Sequence, residues 1–416
     1  MASFTFVCSE CGTRYRAAEV RYVCPACARA QQPGGATRGV LRVELDEPPR
    51  RWPAARVCDP AALAVFLPVA DPRSFPPLHV GGTPLLPVPE LRRRLEMPHL
   101  WVKDDTRNPS GSTKDRASLL VVAKAVEAGL DTIATASTGN AASALAAVAA
   151  AAGVRAVVFV PASAPPAKLV QIASYGATLV PVDGSYDDAF ELSLAACERF
   201  GWYNRNTAFN PFTIEGKKTA ALEIAAELDP DAPDAVIVPA GDGVITAGVA
   251  KGFDDLVRGG LMDRAPRLIV VQPEGSPALA RALRDGAAEV APVTEAASVA
   301  DSLVVRAPRN ATMALAAVRA TGGGGVLESA GAILDAISEL ARSTGVFAEP
   351  AAAAAFAGLV AALDEGLVRR DERVVLLVTG SGLKDVAAAA RGIRIPAPVP
   401  PDLDAVERLL ETTTAS

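Results

Sequence analysis

The sequence predicts an α/β protein of two parallel-sheet domains with a small four-cysteine module at its N-terminus. Three observations predict it. From about Asp131 to Ala240, and again beyond Arg267, short β-branched runs alternate with alanine-rich segments of helical length, the pattern of parallel strands covered by helices. Half of the 416 residues are hydrophobic but only 5% are aromatic, so the apolar mass is the alanine, valine and leucine of helices packed on a buried sheet. Four of the six cysteines lie in residues 1–45, in a stretch unlike the rest.

Length and charge narrow the function classes. A chain of this size exceeds one ordinary core. A net charge of −6 argues against nucleic acid, whose phosphates need a basic face, and favours a small-molecule ligand. The longest apolar run, Ala351 to Leu363, spans 13 residues, whereas a membrane helix needs roughly 20. Met1 to Phe6 lacks the basic and apolar regions of a secretory signal, which makes the cytoplasm the expected address.

Residues 1–45 read as a zinc ribbon. Cys8-x2-Cys11 and Cys24-x2-Cys27, with Gly12 and Pro25 as turn residues, let four thiolates converge on one tetrahedral Zn²⁺. The alternative is a disulfide pair or four unrelated cysteines. A closed four-thiolate site leaves no position for substrate, so its role is structural or in protein contacts. Cys58 and Cys197 read as core cysteines.

Pro-rich stretches at Pro48–Pro53 and Pro68–Pro77 predict a loop-rich passage. The expected strands are Leu100–Val102, Thr132–Ser137, Arg155–Pro161, Ala177–Asp183, Ala235–Ala240, Arg267–Gln272 and Val374–Val378. Helices are expected at Ala141–Ala152, Ala167–Tyr175, Tyr186–Phe200 and Ser329–Ser343, with an amphipathic terminal helix at Leu403–Glu411. The domains divide as 46–99 with 216–395 (large), 100–215 (small) and a tail at 396–416.

The chain has only eight lysines against many more arginines, and one of them, Lys114, closes the loop Asn108-Pro-Ser-Gly-Ser-Thr-Lys-Asp-Arg116 at a strand-to-helix junction. Small neighbours there let a planar ligand reach the backbone, and the helix start favours anions. An amine so placed can form a Schiff base with an aldehyde and later move protons. A surface lysine beside an exchangeable Asp115–Arg116 salt bridge is an equal alternative on this loop alone. Three further Gly turns follow expected strands: Ser137-Thr138-Gly139-Asn140, Gly241-Asp242-Gly243-Val244-Ile245 and Thr379-Gly-Ser-Gly. Together with the lysine loop they describe one cleft at strand C-termini.

These motifs resemble the pyridoxal phosphate (PLP) enzymes of fold type II, and within them the threonine synthases. The lysine loop is similar to that family's Asn-Pro-Thr-Gly-Ser-Phe-Lys-Asp-Arg, and Thr379-Gly-Ser-Gly-Leu-Lys-Asp385 to its Thr-Gly-His-Gly-Leu-Lys-Asp. The family also often begins with a four-cysteine ribbon. The resemblance implies PLP held by Lys114, with Asn140 on the ring 3′-oxygen, Gly241 to Ile245 on the 5′-phosphate and Thr379 at the pyridine nitrogen. It places the substrate carboxylate on Ser137, Thr138 and Gly139, and implies a homodimer.

Two positions depart from the family pattern. Its catalytic threonine after the Asn turn is Ala141 here, and its phosphate-gripping arginine is Thr213. Arg205, Lys217 or Lys218 can supply the missing charge, Lys217 being the one assigned to substrate; alternatively the three form a solvated face and the substrate carries no phosphate. The leading function is conversion of O-phospho-L-homoserine and water to L-threonine and phosphate. The alternatives are a β-elimination or β-replacement on another amino acid (serine/threonine dehydratase-like or cysteate synthase-like), or a zinc-ribbon binding protein on an inactive PLP-type body.

Overall fold

A computed structural model describes residues 3–53, 62–393 and 395–414; Cys58 lies outside them. Three sheets organise these residues. The N-terminal module is a three-stranded antiparallel sheet of Phe4–Cys8, Arg14–Arg16 and Leu41–Leu45. A six-stranded sheet runs Gly324–Glu328, Arg267–Pro273, Ala235–Pro239, Val374–Val378, Leu100–Asp104 and Leu85–Leu86, parallel throughout except for its last strand. A four-stranded parallel sheet runs Thr178–Val182, Arg155–Pro161, Thr132–Ala136 and Tyr203–Asn204.

The central strands are apolar on both faces because helices cover both sides. Val374–Val378 is buried at every position, beneath the alanine-rich helix Pro350–Asp364 on one side and Val249, Phe253 and Leu256 of helix Val244–Arg258 on the other. Alanine lets the Pro350 helix pack close to the sheet: Gly358 approaches so near that a Cβ there would meet Val271 at 2.2 Å. Helix Tyr186–Phe200 begins where expected, set by a capping box between Ser185 and Asp188. The expected terminal helix forms at Leu403–Thr414, with Ala405 buried and Leu403 exposed.

One domain boundary needs correction. Leu100–Asp104, assigned from sequence to the small domain, pairs with Val374–Val378 inside the larger sheet. The chain crosses to the smaller sheet only after helix Lys114–Glu127, at Thr132. Among the described residues no helix is long and apolar enough to cross a membrane.

Candidate active site

Lys114 is the first residue of its helix and sits where two backbone segments clamp its loop. Thr113 N–H donates to Thr379 O at 2.8 Å, and Ser381 N–H donates to Gly111 O at 2.9 Å. On the other side of Thr379–Gly382, Glu349 N–H donates to Gly380 O at 3.0 Å and Gly382 N–H to Phe347 O at 2.8 Å. The end of the central strand thus holds Lys114 and Glu349 as neighbours. Gly380 leaves room for this carboxylate: a Cβ there would lie 2.3 Å from Glu349 Oε1, which would have to move.

Burial pushes the Lys114 amine below the usual lysine range, with Arg205 adding to the effect and Glu349 and Asp242 opposing it. A lysine so shifted offers a free amine, the nucleophilic form, at lower pH. Its neighbours do not form the surface pair weighed above. Asp115 accepts the Ser110 N–H and hydroxyl at 2.7 and 2.6 Å, and burial raises its carboxyl to about 6. Arg116 turns away into a buried network with Asp105 and Glu223.

Asn140 starts helix Asn140–Ala152 and is buried. Its amide donates to both oxygens of Glu349, at 2.8 and 3.1 Å. Glu349 itself is only 3% exposed, and burial raises its carboxyl while Lys114 and the Asn140 amide pull it down. Sequence reasoning missed Glu349. The available signal was a glutamate directly before Pro350 at the start of an apolar helix: it holds the N-cap position but makes no side-chain cap there, and its carboxylate goes to the site instead.

The structure fits a phosphorylated pyridoxal cofactor at this place. Helix Val244–Arg258 begins with Gly243 in the left-handed region at φ 79° and has no side-chain cap, and the buried Thr246 hydroxyl has no partner. Gly241 to Ile245 therefore present free amide donors suited to a phosphate. The loop is held open from behind: Asp242 accepts the Arg309 N–H at 3.0 Å on its side chain and the Asn310 N–H at 2.9 Å on its carbonyl. A second uncapped start, at Gly139–Asn140, suits a carboxylate. Gly139 faces open space, and Thr138, Asn140, Gln171, Glu349 and Lys384 line a cavity of about 110 Å³ in front of it. Lys384 reaches across that cavity from the large sheet to the Ser143 hydroxyl at 2.7 Å and the Gln171 side chain. Thr379, 1% exposed, follows the central strand beside Lys114.

Lys217 and Arg205 complete the arrangement. Both are buried, at 2% and 0% exposure, which overturns the solvated-face alternative. Their neighbours Lys218 and Lys251 are neutralised by Glu215 and Asp255. Among the described residues neither Lys217 nor Arg205 has an ion pair, and Arg205 Nη2 lacks any hydrogen-bond partner. Burial lowers both, Arg205 to about 10, and Lys217 is lowered further by the nearby charges of Arg205 and Lys114. Thr213 supplies no replacement, since its hydroxyl donates to Asn210 O at 2.7 Å.

A lysine at the mouth of uncapped helix starts, with a built phosphate loop, is the arrangement a PLP enzyme needs. The family model described as pyridoxal-phosphate dependent enzyme matches residues 77–380. The chain belongs to this family. A threonine synthase of Methanocaldococcus jannaschii is 34% identical over 407 residues, covering 97% of this chain and 98% of the relative. One of Methanosarcina acetivorans is 34% identical over 418 residues, with the same coverage. The structure of threonine deaminase isoform 2 from Solanum lycopersicum superposes with a TM-score of 0.64 at 23% identity, over 74% of this chain and 86% of that one, a likeness of fold. The protein is thus a PLP-dependent lyase of fold type II, similar to threonine synthase.

The ribbon cysteines converge as expected. Their four sulfurs lie within 4.8 Å of one another, and the Cys8–Cys27 and Cys11–Cys24 separations are 3.7 and 3.8 Å. A tetrahedron with Zn–S bonds of about 2.3 Å has edges of about 3.8 Å, so the thiols fit that ion. The described cysteines, these four and Cys197, are free.

Proposed function

We propose that the enzyme converts O-phospho-L-homoserine and water to L-threonine and phosphate. The observation that carries this is the buried, unpaired Arg205–Lys217 pair. Holding two positive charges in a core without a counter-ion is costly, which is why burial, Arg205 and Lys114 push Lys217 well below its usual range, and an anionic ligand offsets that cost. The cofactor phosphate has the amides of Gly241 to Ile245 and the Thr246 hydroxyl for itself, which leaves the pair for a second anion. When bound, PLP supplies an electron-withdrawing ring that makes protons near the amino carbon acidic. The chain's own residues do the rest. Lys114 holds the cofactor and moves the proton at Cα, and the Ser137–Asn140 turn takes the carboxylate. Asn140 and Glu349 orient the ring edge, and Thr379 offers the pyridine nitrogen a neutral hydroxyl. Arg205 and Lys217 hold the leaving phosphate.

Lys217→Met is expected to raise KM for O-phosphohomoserine roughly 30- to 100-fold, the loss of one charge-assisted hydrogen bond, with kcat and cofactor absorbance little changed. Because Lys217 binds a dianion only when protonated and its proton is held weakly in the free enzyme, phosphate binding takes up a proton and weakens as pH rises. Steady-state kinetics across pH tests both. An unchanged KM removes the second anion from the account.

A second reading, favoured by Ala141 and by the engaged Thr213 hydroxyl, is β-elimination or β-replacement on another amino acid, dehydratase-like or cysteate synthase-like; keto acid or a β-substituted product distinguishes it. Zn²⁺ in the ribbon is structural in this proposal. The enzyme is taken as a cytoplasmic homodimer, the free thiols supporting the compartment and the family resemblance the dimer.

A further inference from the structure

The ribbon's position has a functional meaning of its own. Among its contacts with the body, two polar ones lie behind the segments read above as anion-binding. At the first, Arg309 joins three parts of the molecule: its guanidinium donates to Gly35 O at 3.1 Å and to Asp187 at 2.7 Å, and it lies 4.4 Å over the Phe190 ring. Its carbonyl accepts the Thr37 N–H at 2.9 Å, while its own N–H holds Asp242 of the cofactor phosphate loop.

The second contact is Tyr22. Its hydroxyl accepts the Asn204 N–H at 2.9 Å, and its ring packs on Tyr203 and Phe209 with centroids 5.8 and 5.1 Å apart. Asn204 passes this restraint onward. Its side-chain oxygen accepts the Asn206 N–H at 2.7 Å, and its carbonyl accepts the Asn210 amide at 2.7 Å. Arg205 lies between them, its N–H on Ala134 O at 2.8 Å. Asn206 in turn accepts the Ala136 N–H at 2.7 Å, at the head of the Ser137–Asn140 turn. Phe4 and Phe6 press on Phe212, which begins the short helix carrying Lys217.

We propose that the ribbon is a working part of the active site, with Tyr22 as a positioning residue that fixes the strand edge presenting Arg205 to the substrate anion. This rests on the reading of Arg205 and Lys217 as an anion site. Without the Tyr22 hydroxyl, the Asn204 N–H loses its acceptor and the strand edge gains freedom on the side opposite Ala134. Arg205 then pays an ordering cost on binding, while the cofactor loop, restrained separately through Arg309, is unaffected.

The test is calorimetric titration of the PLP-loaded full chain with inorganic phosphate. Tyr22→Phe, which keeps the ring, is expected to weaken phosphate binding roughly five- to tenfold, the scale of one hydrogen bond, at unchanged cofactor absorbance and metal content. With O-phosphohomoserine the same variant raises KM and leaves kcat in place. Phe209→Leu, which loosens the same contact from the body side, is expected to weaken phosphate in parallel, and it serves if Tyr22→Phe does not fold. Wild-type phosphate affinity in these variants, when Lys217→Met has lost it, overturns the role of Tyr22 alone. Wild-type affinity in Lys217→Met as well overturns the anion site beneath it.

Discussion

Lys114→Ala is expected to yield a folded protein that shows no visible absorbance from a covalently held cofactor and has lost about 10³-fold or more of its activity, since anchor and proton carrier go together. The expectation follows from the amine's surroundings. Its loop is clamped on Thr379 and Ser381, its proton is destabilised by burial and by Arg205, and Glu349 stands opposite. The side chain makes no ion pair among the described residues, so its removal should spare the fold. Absorbance spectra and thermal melting of the PLP-incubated variant check this. Normal visible absorbance would remove the Schiff-base assignment.

Arg116→Met should have the largest effect on stability, a loss of about 3–5 kcal/mol. Arg116 is 2% exposed and bridges Asp105 at 2.7 Å and Glu223 at 2.5 Å, with Lys103 also 2.9 Å from Glu223. It ties the Lys114 helix to the Asp105–Arg107 turn that follows strand Leu100–Asp104 and to helix Thr219–Leu228. Removing it leaves two buried carboxylates facing each other with only Lys103 to compensate. In the native protein both carboxyls are held below their ordinary values by Arg116, so their contribution is present at neutral pH and lost as pH falls through the acid range. In the variant, burial and mutual repulsion raise them instead, and protonation relieves the strain. The deficit in denaturation midpoint should therefore be large at pH 7 and shrink toward pH 4. A deficit independent of pH would assign the loss to packing.

Both residues lie in the first turn of one helix, and sequence revealed them unequally. Lys114 was legible because Gly, Ser and Pro around a lysine at a strand-to-helix junction is a local chemical pattern. The alternating strands and helices were legible for the same reason. Arg116, Lys217 and Glu349 depend on what packs against them. The Lys217–Lys218 pair reads equally as a solvated face until the Lys114 and Val244 helices close over it. The signals for that closure are two glycines: a Cβ at Gly216 would lie 2.3 Å from Arg116 O, and one at Gly248 would lie 2.7 Å from Lys217 Cβ. The sheet membership of Leu100–Asp104 escaped for a related reason, since its main partner, Val374–Val378, is remote in sequence. The convergence of the four ribbon cysteines was legible from their paired spacing; the surface on which the ribbon rests was not.

The central claim is that Arg205 and Lys217 hold the phosphate of an amino-acid substrate. Its most direct test is incubation of the PLP-loaded enzyme with O-phospho-L-homoserine, with released phosphate and free amino acids measured together. The account predicts phosphate and threonine in equal amounts. Keto acid formation, or turnover of unphosphorylated serine or threonine with O-phosphohomoserine left intact, would contradict it.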